Sequence, residues 1–133
     1  MTLTSSPGAS APQTVAVIGA SSDRRKFGNK AVRAYRDQGY RVVPINTHER
    51  EIEGLPAYPS VLDVPGPIDT VLFYVPPTIG EQVIEEVARK GIADVWLNPG
   101  AESDALIAKA RTLGLKPVVA CSIYAVGRNP NDL

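Results

Sequence analysis

Five short apolar runs alternate with helix-period stripes along the chain, and this alternation constrains the fold more than any other feature of the sequence. The runs are Val15–Ile18, Arg41–Ile45, Asp69–Val75, Asp94–Leu97 and Pro117–Cys121. Val15–Ile18 is apolar at every position, as a strand covered on both faces must be. After it, Gly28, Ala31, Val32 and Tyr35 recur at helical spacing, with Lys30, Arg33 and Arg36 on the opposite side and Gly39 as the stop. Ile79, Val83, Ile84 and Val87 repeat the stripe, with Thr78 and Glu81 spaced as a capping box and Gly91 closing it. Leu106, Ile107, Ala110 and Leu113 form a third stripe, stopped by Gly114. Strands separated by helices and short connections pair in parallel through right-handed crossovers. The expected fold is therefore α/β: a single domain with an open parallel five-stranded sheet and helices on both faces.

Other stretches are less regular. Gly54, Pro56, Pro59, Pro65 and Gly66 break up Glu51–Pro67, where one helical turn is expected at Ser60–Asp63. Pro44 marks either the last residue of its strand or an irregular edge. Ser122–Leu133 carries no clear pattern. Residues 1–12, rich in Ser, Thr, Ala and Pro, read as a disordered tail ahead of a domain at 13–133. That tail has neither the basic start nor the apolar centre of a secretory signal. With 133 residues, the chain can bury roughly two-thirds of its unfolded surface. Fourteen basic residues balance fourteen acidic ones, which argues against a dedicated nucleic-acid or membrane-surface protein. The single cysteine, Cys121, excludes an internal disulfide framework and fits a reducing compartment; the cytoplasm is expected. No apolar run reaches membrane-spanning length.

Open parallel sheets bind ligands outside the carboxyl ends of their strands. Here those ends are Gly19–Lys26, Asn46–His48, Val75–Thr78, Asn98–Gly100 and Cys121-Ser122. The first is the most informative. An apolar strand stops at Gly19, small Ala20, Ser21 and Ser22 follow, and basic Arg24, Arg25 and Lys26 precede a helix. Unpaired amides and the positive end of the helix dipole converge at such a corner on any anion. The dinucleotide fingerprint is absent, because Ala20 follows Gly19 and the next glycine is Gly28; a Gly-Lys-Ser/Thr phosphate loop is absent too. A longer loop with three basic side chains suits more phosphate than a bare diphosphate. The alternative is a Ser-rich turn with solvated basic residues that only caps its helix.

Asn46 stands where dinucleotide-binding folds usually place an acid on the ribose; a neutral residue would tolerate a phosphate there, and His48 and Arg50 add charge nearby. Asn46 as an ordinary turn residue is the competing reading, and His48 reads as a solvated loop residue before a catalytic base. Val75-Pro76-Pro77 offers an apolar ledge for a planar base, or simply ends a strand and starts a helix. Asn98-Pro99-Gly100 is a turn expected to leave amides free near its glycine, while Trp96 reads as core. Cys121 lies at the mouth of the fifth strand, as a thiol able to meet a thiol-bearing ligand or as a buried, inert residue. No metal site is expected.

Five segments in order, Val15–Ser22, Gly39–Asn46, Gly54–Val61, Tyr74–Pro77 and Val95–Gly100, resemble the small single-domain CoA-binding proteins of bacteria. These are similar to the N-terminal CoA-binding domain of the succinyl-CoA synthetase alpha subunit, and the resemblance covers about 13–128. It implies a Rossmann-like fold that binds coenzyme A with its phosphates at Gly19, Ala20, Ser21, Ser22 and Lys26. It further implies adenosine contacts at Asn46, Val75, Pro76 and Pro77, and an approach of the pantetheine arm to Asn98, Pro99 and Gly100. The synthetase also uses a second domain with a phosphorylated histidine, and His48 matches no such position. The expectation is therefore a binder of CoA or an acyl-CoA without complete catalytic machinery of its own. Two alternatives stand beside it: an NAD(P)-binding redox enzyme or sensor of the same fold, and a regulatory module reporting CoA status to a protein partner.

Overall fold

The computed structural model describes residues 12–133; the tail expected at 1–12 therefore lies outside the described residues, apart from Pro12. Strand β1 (Thr14–Ile18) leads through helix α1 (Phe27–Asp37) to β2 (Arg41–Ile45). A hairpin of β3 (Glu51–Ile52) and β4 (Leu55–Pro56) and a 3-10 turn at Val61–Asp63 precede β5 (Thr70–Phe73). Helix α2 (Pro77–Lys90), β6 (Asp94–Leu97), α3 (Asp104–Thr112), β7 (Lys116–Val119) and the short α4 (Ser122–Ala125) complete the order, before a last 3-10 turn at Pro130–Asp132.

The main sheet has five strands in the order β2-β1-β5-β6-β7, every neighbouring pair parallel. The chain runs outward from β1 to β2, then crosses back to β5 on the other side of β1. The strand order reverses between β1 and β5, and a crevice opens there at the carboxyl ends.

Strand β1 lies inside the sheet between β2 and β5, and its alternating side chains build two cores. Val15 and Val17 join Ala31, Val32 and Tyr35 of α1 and Ile123 of α4 on one face. Ala16 and Ile18 join Ile84 and Val87 of α2 and Leu106 and Ala110 of α3 on the other. Helices thus cover both faces, as the uniform apolar character of Val15–Ile18 demands.

Gly39, Gly91 and Gly114 follow the three longer helices as expected. Other details differ. Helix α2 begins at Pro77 with Pro76 as its cap and no side-chain capping bond, so Thr78 lies inside the first turn and makes no capping box with Glu81. Two adjacent prolines end the extended segment before Thr78 can act. Strand β7 stops at Val119, and Cys121 caps α4 instead of ending the strand. Pro44 lies within β2, an outer strand whose free side pairs with Tyr58: Tyr58 N–H donates to the Pro44 carbonyl at 3.1 Å and Asn46 N–H to the Tyr58 carbonyl at 3.0 Å. Arg33, expected on the solvent side of α1, is buried. No helix among the described residues is long and apolar enough to cross a membrane.

Candidate functional site

The corner where β1 hands over to α1 is shaped by two glycines. Gly19 has φ +91°, and a Cβ there would lie 2.6 Å from the Tyr74 carbonyl oxygen. No L side chain fits both the backbone and the space. A Cβ on Gly28 would collide with the Gly19 carbonyl, so α1 starts pressed against the strand end. Gly19 N–H donates to Ile45 O at 3.3 Å and Tyr74 N–H to Ile18 O at 2.8 Å, lacing β2, β1 and β5 together at their carboxyl ends.

The loop between the glycines is held by its carbonyls. Asn46 Nδ2 donates to Ala20 O at 2.8 Å, Asn29 Nδ2 to Ser21 O at 2.8 Å, and an Arg33 guanidinium nitrogen to Arg24 O at 2.9 Å. In a trans peptide the N–H points away from the C=O. Anchoring the Ala20 and Ser21 carbonyls on the protein therefore turns the amides of Ser21 and Ser22 the other way. Ser22 N–H donates to Glu49 Oε2 at 3.1 Å. The amides of Ala20, Ser21, Phe27 and Gly28 meet no acceptor among the described residues. Helix α1 has no side-chain cap and no acid in its first turn, so its positive end is uncompensated there.

These groups surround a cleft of about 390 Å³ lined by Gly19, Ala20, Ser21, Lys26, Phe27, Gly28, Asn46, His48, Glu49 and Tyr74. A second, more apolar cleft of about 310 Å³ adjoins it, sharing Gly19 and Asn46 and lined by Ile18, Ile45, Pro59, Val75, Ile79 and Val83, with Glu86 among its polar residues. Ile79, expected in the core, is half exposed because it faces this cleft.

The three basic side chains of the loop separate. Arg25 pairs with Asp23 at 3.0 Å, and that guanidinium pushes the Asp23 carboxyl down to about 2. Arg24 pairs with Glu53 at 2.7 Å, leaving Lys26 to line the cleft. Glu53 sits at the tip of the β3–β4 hairpin with φ +53°, followed by Gly54 at φ +77°, the two-residue turn that a short hairpin needs. Its carboxylate also accepts from Asn29 Nδ2 at 3.0 Å, and this bond, before the Arg24 charge, holds it below the usual carboxylate range.

Asn46 is fully engaged. Its Oδ1 accepts from the amides of His48 (2.7 Å) and Glu49 (2.8 Å) while its Nδ2 ties down Ala20 O. The side chain organises both loops, and the same turn brings the carboxylate of Glu49 into the cleft, so the second loop is less neutral than Asn46 alone suggests.

The turn after β6 is built differently. Asn98 is buried: Nδ2 donates to Phe73 O at 3.0 Å, and Oδ1 accepts from Ser122 N–H and Ser122 Oγ, both at 2.8 Å. Ser122 Oγ shares a hydrogen bond with the Tyr74 hydroxyl at 2.8 Å, and the Tyr35 hydroxyl donates to Ser122 O at 2.8 Å. Burial pushes the Tyr35 phenol up to about 12 and raises that of Tyr74 as well. Gly100 N–H, expected free, donates to Glu102 Oε2 at 3.1 Å, and Ala101 N–H to Asn98 O at 2.8 Å. A neighbouring acid and the chain's own carbonyl satisfy the turn.

Among the sequence-derived candidates, the structure brings Gly19, Ala20, Ser21, Lys26 and Asn46 to the first cleft and Val75 to the second. Ser22 lines neither, and its amide reaches Glu49, which lines the first. Pro76, Pro77, Asn98, Pro99 and Gly100 line neither. Phe27, Tyr74, Glu49 and the bracing set Asn29, Arg33 and Glu53 were not singled out; only the i, i+4 spacing of Asn29 and Arg33 hints at their contact, an Arg33 Nε donation to Asn29 Oδ1 at 2.7 Å. Among the described residues no group of three His, Cys, Asp or Glu side chains could hold a metal ion.

A family model described as a CoA binding domain matches residues 13–127. The alpha subunit of the ADP-forming acetate–CoA ligase II of Pyrococcus furiosus is 38% identical over 85 residues, which make up 63% of this chain and 19% of that protein; the chain thus spans under a fifth of that relative's length. A solved conserved hypothetical protein from Pyrococcus furiosus is similar with a TM-score of 0.79 and 32% identity, over 85% of this chain and 98% of that one. The dinucleotide-forming acetyl-coenzyme A synthetase 1 of Ca. Korarchaeum cryptofilum, in complex with phosphate and ADP, is similar with a TM-score of 0.72 and 30% identity, over 80% of this chain and 25% of that one.

Proposed function

The chain belongs to the CoA-binding domain family, and from that premise we propose that coenzyme A lies across the crevice between β1 and β5. Its diphosphate sits beside Gly19, against the amides of Ala20, Ser21 and Ser22 and the first turn of α1, with Lys26 supplying the nearby cation. Its adenine packs in the apolar cleft against Val75, with Pro76 and Pro77 fixing the ledge behind it and Asn46 holding the two loops at the correct spacing. The pantetheine arm runs toward the turn at Asn98, Pro99 and Gly100. CoA itself supplies the thiol that carries an acyl group; the chain's own residues bind and orient.

The observation that carries this reading is a set of unmet donors. Asn46 and Asn29 tie down the Ala20 and Ser21 carbonyls, and the amides of Ala20, Ser21, Phe27 and Gly28, all residues that line the cleft, meet no acceptor among the described residues. Such amides are costly to leave unpaired unless an anion or water meets them. Gly19, at φ +91°, lets the loop leave the strand end pressed against Tyr74, whose carbonyl oxygen would lie 2.6 Å from a Cβ there.

Binding without ligase chemistry is the role proposed for this chain. Its one histidine, His48, is a residue of the second loop and lines the first cleft. A role inside an assembly is the second reading, favoured by the relative named as an alpha subunit. Affinity capture of partners with and without CoA separates the two: CoA-dependent capture of one stoichiometric partner supports the assembly.

Thermal melting with CoA, NAD, NADP and ATP tests the ligand. At about 100 times its Kd a ligand adds about 2.7 kcal/mol, a rise of several degrees for a domain of this size. CoA is expected to give the largest rise. A rise with NADP and none with CoA would overturn the assignment.

A further inference from the structure

We propose that Glu49 is an internal competitor for the phosphate site, a carboxylate that occupies one of the loop's amides and must leave before a ligand's phosphate can take it. The inference rests on the CoA reading above and adds a determinant of selectivity to it. Glu49 Oε2 accepts the Ser22 amide at 3.1 Å and lies 3.4 Å from Asn46 Nδ2. The Asn46 side chain aims it there by accepting the Glu49 N–H at 2.8 Å. The hydrogen bond from Ser22 holds the Glu49 carboxyl below its usual range, which marks this amide as a donor that prefers an anion.

The charges around the cleft give the competitor its leverage. Arg24 and Arg25 are engaged with Glu53 and Asp23, so Lys26 is the lysine or arginine that lines the cleft, with His48 beside it. A ligand phosphate arriving at Ser22 meets a carboxylate already on the amide. A single orthophosphate gains too few amides to displace it. A diphosphate that engages the Ala20, Ser21, Phe27 and Gly28 amides together gains enough. Glu49 thereby excludes small anions, at some loss of affinity for the ligand itself.

The test is calorimetric titration of CoA, and separately of inorganic phosphate, into the wild-type protein, Glu49→Gln and Glu49→Ala. Both variants are expected to bind CoA roughly two- to tenfold more tightly, the scale of a partly exposed charge pair, and to gain measurable phosphate binding. Equal or weaker CoA binding by both variants, with wild-type binding intact, overturns the competitor and makes Glu49 a bystander or a direct ligand contact. Loss of CoA binding in all three proteins instead overturns the CoA assignment, and the competitor falls with it. Binding by the variants with none by the wild type supports both.

Discussion

Two strand ends of this sheet look alike as sequence and differ in what they leave unpaired. Gly19-Ala20-Ser21 after β1 and Asn98-Pro99-Gly100 after β6 both place a glycine and small or polar residues at a carboxyl end, ahead of a helix. After β6, Glu102 takes the Gly100 amide, Ser103 Oγ caps α3 by accepting Leu106 N–H at 3.0 Å, and Asn98 is spent on β5 and α4. After β1, the helix has no cap and no acid enters its first turn; side chains hold the Ala20 and Ser21 carbonyls and Glu49 takes the Ser22 amide, but the amides of Ala20, Ser21, Phe27 and Gly28 meet no acceptor among the described residues. The difference lies in accounting for hydrogen bonds. A glycine-bearing turn binds anions when its donors lack internal partners, and is only structural when they are satisfied.

The contrast breaks most sharply at Gly19. Gly19→Val forces a Cβ toward the Tyr74 carbonyl at φ +91° and is expected to abolish CoA binding and lower stability by about 3 kcal/mol, read by titration and chemical denaturation. The next largest effect tests the missing cap. Lys26→Asp installs a cap and an acid at the start of α1 and removes the cation, making this corner resemble the one after β6. It should raise stability by about 0.5–1 kcal/mol while weakening CoA binding at least tenfold, an opposition of signs that a simple folding defect cannot produce. The converse is Ser103→Ala, which uncaps α3 and should cost about 1 kcal/mol with CoA affinity unchanged.

The smallest effect is electrostatic. The Asp23 carboxyl lies at about 2 in the folded chain against an ordinary 3.8, so its contribution is fully present above 3.8 and is lost as pH falls from there through 2. Asp23→Asn should remove that part of the acid dependence of stability, and acid titrations of the two proteins check it. The group is exposed, so the change is small.

Most of the sheet was legible because periodicity reports burial. Arg41–Ile45 and Asp94–Leu97 coincide with β2 and β6, and the order of strands and helices follows from their alternation. What escaped the sequence is held by contacts that leave no period. The β3–β4 hairpin has strands of two residues, too short to alternate. Arg33 looks solvent-facing on α1, yet it is buried because Asn29 and the Arg24 carbonyl satisfy its guanidinium. The loop after β1 was legible as a glycine, small residues and a helix start, whereas the braces that hold its carbonyls come from 26 residues away in Asn46 and, through Asn29, from the hairpin tip in Glu53. The free amide expected near Gly100 failed for the same reason: Glu102, two residues on, curls back onto it.

Backbone amide NMR during a CoA titration tests the central claim most directly. The signals of Ala20, Ser21, Phe27 and Gly28, whose amides meet no acceptor among the described residues, are expected to move downfield first and furthest, as amides do on meeting a phosphate. Saturable CoA binding that leaves these four signals in place, with the shifts confined to other segments, would contradict it.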